Sequence, residues 1–86
     1  MNKTEELMVI TMEECGEVIQ ACSKILRHSQ NPDKLSKWHE SLIEEVGDVL
    51  CMFDLMIDAG FLDCQSLEIR KKIKRKKLHK YSGLNI

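Results

Sequence analysis

The chain has 86 residues, 43% of them apolar and 31% charged, with a formal net charge of −1. That length bounds it to one domain over residues 1–86, and that apolar content excludes a disordered chain. No apolar run approaches the ~20 residues of a membrane span, and residues 1–6 lack the apolar core and basic flank of a secretion signal, so a cytoplasmic protein with no membrane partner is expected.

The first predicted helix covers residues 4–27, with Thr4 as N-cap and Glu5 and Glu6 in the first turn, where the helix dipole favours acids. Residues 28–33 read as a loop. Within it Asn31 is a natural N-cap and Pro32 a natural first helical residue. The second helix runs to about Ala59 and stops at Gly60. Asp63 caps the third, Leu62 is placed to staple against Leu67, and the helix ends near Tyr81. Nothing in the chain alternates as a strand would.

Periodicity adds packing to this outline. In the first helix Met8, Met12, Cys15, Ile19, Cys22 and Leu26 recur at alternating steps of four and three. Leu35, Trp38, Leu42, Glu45, Val49, Met52 and Met56 do the same in the second, with one acidic interruption. A further stripe of Ile43, Val46, Leu50, Phe53 and Ile57 lies beside it. Two apolar stripes on a helix ask for more than one neighbour. A chain this short has a thin core and too few helices to supply them all. The expected fold is therefore an all-α helical bundle of about three helices per protomer, completed as a homodimer or homotetramer. Cys15, Cys22, Cys51 and Cys64 show no CxxC pairing and no finger-like histidine. Three of them fall in apolar helical patterns and are expected to behave as small hydrophobes.

Charge divides sharply. Residues 1–69 carry fourteen acids and five Lys/Arg, a net −9, whereas residues 70–86 carry eight Lys/Arg and no acid. Two of the acids occupy core positions. Glu45 interrupts its stripe, and Glu14 falls between Leu7 and Thr11 on one side and Val18, Ala21 and Ile25 on the other. A carboxylate among core positions is costly unless paired or coordinated. Each has an acid three residues on, Glu17 after Glu14 and Asp48 after Glu45, and residues at that spacing share a helix face. The segments also repeat: Glu13-Glu14-Cys15-Gly16-Glu17-Val18-Ile19 returns 31 residues later as Glu44-Glu45-Val46-Gly47-Asp48-Val49-Leu50. A helix-interior glycine costs ~1 kcal/mol against alanine, so two at matching places suggest close helix approach or access for a ligand. Four converging carboxylates would repel one another, and a divalent cation resolves that repulsion. Oxygen-only donors point to Mg²⁺, with Mn²⁺ able to substitute, rather than to zinc. A di-iron bundle would need Glu-x-x-His, and His28, His39 and His79 fall outside that spacing.

With Glu13-Glu14-Cys15-Gly16-Glu17 as EExxE and Glu45-Val46-Gly47-Asp48 as ExxD, 27 residues apart, the chain resembles the MazG-like all-α nucleoside triphosphate pyrophosphohydrolases. The resemblance implies Mg²⁺ held by Glu14, Glu17, Glu45 and Asp48. It also implies cleavage of a nucleotide between its α and β phosphates, to a monophosphate and pyrophosphate. Glu13 matches the first acid of the motif and is expected to orient water or support the metal ligands. Cations of the third helix, with Lys74 and Lys77 as candidates, are expected to reach the phosphates. Trp38 is a candidate for the nucleobase, although its place on the Leu35–Leu42 stripe favours packing. No Ser or Cys nucleophile has a base at helical spacing, which fits direct attack by metal-activated water. The alternative is a non-catalytic helical oligomer that binds nucleic acid or a protein through the basic third helix. It leaves the paired core acids unexplained, so nucleic acid is not the expected partner.

Overall fold

A computed structural model describes residues 1–86. Three helices account for the regular structure: α1 (Lys3–Arg27), α2 (Pro32–Asp58) and α3 (Cys64–Tyr81). The chain divides into two compact units, Met1–Leu55 and Met56–Ile86, with α2 running through the boundary. The all-α expectation holds. No helix is long and apolar enough to cross a membrane.

The helix ends follow local chemistry. Asn2, not Thr4, caps α1: its Oδ1 accepts the Glu5 N–H at 2.8 Å, and its own N–H donates to Glu5 Oε1 at 3.3 Å. That reciprocal box satisfies two otherwise orphaned donors, which Thr4 could not do with Leu7 at its third helical position. Asn31 caps α2, accepting from the Lys34 N–H at 3.2 Å, with Pro32 the first helical residue. At the other end Gly60 adopts φ +83°. Its N–H donates to the Ile57 carbonyl at 3.0 Å, and the Phe61 N–H donates to the Met56 carbonyl at 2.9 Å. This is the Schellman pattern, which needs a left-handed residue. Asp63 caps α3 through the Ser66 N–H at 2.8 Å.

The first unit is an αα-hairpin, α1 and α2 turning back on each other through residues 28–31. Within one chain the stripe from Met8 to Leu26 is not the face of α1 that packs inside the hairpin. Met12, Ile19 and Leu26 are 73%, 70% and 79% exposed. The inward face is instead Leu7, Thr11, Glu14, Val18, Ala21 and Ile25, with Thr11 and Ala21 buried. Small residues let two helices approach closely, and the Thr11 hydroxyl is satisfied by donating to the Leu7 carbonyl at 2.7 Å. On α2 the inward stripe is the interrupted one, with Val49 and Met52 buried, and Ile43 and Leu50 face out at 62% and 55% exposed. Both helices thus turn their carboxylate-bearing stripe inward. The cysteines are all free. Cys22 and Cys51 are exposed rather than packed as expected, because one lies on the outward stripe of α1 and the other on the solvent side of α2.

Candidate metal centre

The inward stripes bring the repeated acidic segments together. Carboxylate oxygens of Glu14, Glu45 and Asp48 lie within 4.8 Å of one another, Glu14 and Glu45 half-buried and Asp48 exposed. Glu14 comes from the middle of α1, whereas Glu45 and Asp48 stand one turn apart on α2.

Electrostatics show a surplus of negative charge. Partial burial is the largest influence pushing the Glu14 carboxyl above its ordinary range, followed by the charges of Asp48, Glu17 and Glu13 and a hydrogen bond shared with Asp48. Glu45 is pushed up by burial first, then by Glu17, Asp48, Glu14 and Glu44. Glu17 is exposed and outside the 4.8 Å triplet, yet its charge acts on both inward glutamates. Glu13 is exposed and acts on Glu14. Glu44 is exposed, and it bears on Glu45 as Glu13 bears on Glu14. Glu44 was legible only as the counterpart of Glu13 in the internal repeat.

These residues fit a hard divalent cation. The donors are carboxylate oxygens without His or Cys, which suits cations of the Mg²⁺, Ca²⁺ and Mn²⁺ type. A neighbouring cation would also favour the charged forms that carboxylate crowding opposes. Gly16 and Gly47 stand in open space, with nothing within 4 Å of where a Cβ would lie. Close approach of the hairpin helices is therefore not their reason, and room beside the acids is what they leave.

Trp38 is half-buried on the inward face of α2, and the Lys24 ammonium lies 5.4 Å from its ring centroid. A cation over the ring satisfies that π face within the hairpin. Lys74 and Lys77 are exposed on α3 in the second unit.

Fold and site together define an all-helical protein whose hairpin presents a carboxylate cluster suited to a hard divalent cation. Residues 2–80 match the model of the MazG nucleotide pyrophosphohydrolase domain, and the chain belongs to that family. Membership makes it, in general terms, a nucleotide pyrophosphohydrolase, and the family is typically dependent on a divalent metal. No curated protein and no solved structure matches the chain.

Proposed function

We propose that the chain is a Mg²⁺-dependent hydrolase of ribo- or deoxyribonucleoside triphosphates, working in the cytoplasm as a homodimer or homotetramer. Water attacks the α-phosphorus, the bond to the bridging oxygen breaks, and pyrophosphate leaves a nucleoside monophosphate. The observation that carries this reading is the convergence of Glu14, Glu45 and Asp48 oxygens within 4.8 Å in a chain of this family.

Glu14, Glu45 and Asp48 hold the cation, with Glu17 as the fourth ligand, its charge already acting on both inward glutamates. A bound Mg²⁺ supplies charge neutralisation along the phosphate chain and a water of lowered pKa. Glu13 orients the attacking water as a carboxylate acceptor. Lys74 and Lys77 hold the phosphates as point charges, and Trp38 bounds the base. Gly16 and Gly47 keep open the space beside the acids.

The test is pyrophosphate release from a panel of NTPs and dNTPs with Mg²⁺, Mn²⁺ or Ca²⁺. Loss of even an outer partner of a metal ligand costs about 10–100-fold. Glu14→Gln and Glu45→Gln should each lower turnover by more than about 100-fold while leaving the helical circular dichroism intact. Turnover that survives both substitutions, or needs no divalent cation, would sink the assignment.

A further inference from the structure

The catalytic reading leaves part of α3 without a role. Helical geometry, about 100° per residue, separates its cations into two faces. Lys74 and Lys77 lie about 60° apart on one side. Lys72, Arg75, Lys76 and His79 lie on the opposite side, spaced i, i+3, i+4, i+7, and together with Ile86 line an open concavity of about 490 Å³. A phosphate chain gripped by Lys74 and Lys77 cannot also be the ligand of this second face. Within α3 the one ion pair is Lys71 with Glu68 at 2.8 Å; the Glu68 charge also bears on Lys72, whereas Arg75 and Lys76 form no ion pair on their own helix. Like charges at such spacings repel, and an anion laid along the face relieves that repulsion.

We infer that the Lys72–Arg75–Lys76–His79 face of α3 binds the phosphate backbone of a nucleic-acid strand, without sequence preference and separately from catalysis. A backbone offers what the face demands: a row of anions long enough to meet cations along two turns of helix. The guanidinium of Arg75 and the ring of His79 add flat surfaces of the kind on which unpaired bases stack. A membrane surface fits poorly. An interfacial helix gathers its apolar residues on one side, whereas here Ile69 and Ile73 stand opposite Leu67 and Leu78. A lone nucleotide would engage only a fraction of the row.

Fluorescence anisotropy with a labelled 20-nucleotide single strand and the matching duplex, in EDTA so that metal-dependent turnover is silent, tests the inference. The expected result is binding that weakens steeply between 50 and 200 mM salt. Each cation removed lowers the log–log slope by about 0.7–0.9. Lys72→Ala/Arg75→Ala/Lys76→Ala should therefore bind at least tenfold more weakly at 50 mM salt and lose about two to three units of slope. It should keep its helical circular dichroism and, with metal, its nucleotide turnover. The charge-retaining Lys72→Arg/Lys76→Arg should bind as the parent does. The inference is overturned by no binding at 50 mM salt, or by equal binding of the triple alanine variant. Competition by a nucleoside triphosphate as effective as by the oligonucleotide would overturn it too, as would tighter capture by phosphatidylserine vesicles. Because the readout is binding without metal, its failure leaves the hydrolase reading untouched, and loss of turnover in Glu14→Gln leaves this one untouched.

Discussion

Glu14 and Glu45 hold their protons more tightly in the folded chain than in the unfolded one, and this has a sign. Both carboxyls lie above their ordinary value of 4.5. Between that value and the raised one, the folded state binds more protons than the unfolded, so stability falls as pH rises through the window. Below 4.5 both states are protonated and the contribution is fully present. Asp63 and Glu68 are shifted down, by the Ser66 N–H and by Lys71 respectively. Their contribution has the opposite sign, present above the ordinary value and lost as pH falls through the lowered one. Comparing the wild type with Glu14→Gln/Glu45→Gln removes that shared background. Without metal, the melting temperature of the wild type should drop relative to the double variant as pH is raised from 4.5 to 7. Added Mg²⁺ at pH 7 should raise the melting temperature of the wild type alone. Parallel pH profiles would mean that the carboxylates are not in conflict. The acid pairs were legible because a spacing of three fixes a shared helix face, and because the motif occurs twice. That Asp48 and Glu17 stand exposed was not legible, since a spacing gives the face but not the depth to which a neighbouring helix covers it.

At the scale of the helices, the ends were readable wherever a single residue decides them. Asn31, Pro32, Gly60 and Asp63 each do what their backbone chemistry dictates. The start of α1 was missed because two caps competed: Thr4 precedes a good first turn, but Asn2 with Glu5 satisfies two donors. Asn2→Ala should therefore cost about 1 kcal/mol in a urea melt, and Thr4→Ala less than about 0.5 kcal/mol. The reverse ranking would place the cap back at Thr4. Gly60→Ala forces a Cβ into the left-handed region, where the penalty is about 1–2 kcal/mol, although nothing within 4 Å would collide with it. A loss of that size with unchanged secondary structure would show that the cost lies in backbone strain alone. The inward stripe was readable from its acids rather than from its hydrophobicity. The outward stripe of α1 is the more continuously apolar, and hydrophobicity alone would bury it. The hairpin instead turns in the face with Thr11 and Ala21, where close approach brings the acids together.

For the whole molecule the outward stripes carry the consequence. Met8, Met12, Cys15, Ile19, Cys22 and Leu26 keep a seven-residue repeat, the period of a coiled-coil seam, yet Met12, Ile19 and Leu26 are each 70% or more exposed. Ile43, Val46, Leu50 and Phe53 form a second exposed row on α2. A second copy is the partner proposed for these rows. A carboxylate introduced at the centre of either row would then be buried against apolar surface, whereas in a monomer it would be solvated and harmless. Ile19→Glu and Leu50→Glu are therefore expected to lower the mass measured by light scattering toward the 10.0 kDa of one chain, and Gln20→Glu, on an exposed polar position, to leave it unchanged. If one of the two substitutions halves the mass and the other halves it again, each row serves a different contact and the assembly is a tetramer. If either alone gives single chains, both rows serve one dimer contact. A wild-type protein that already runs as a 10.0 kDa species at tens of micromolar would leave the rows without their proposed partner.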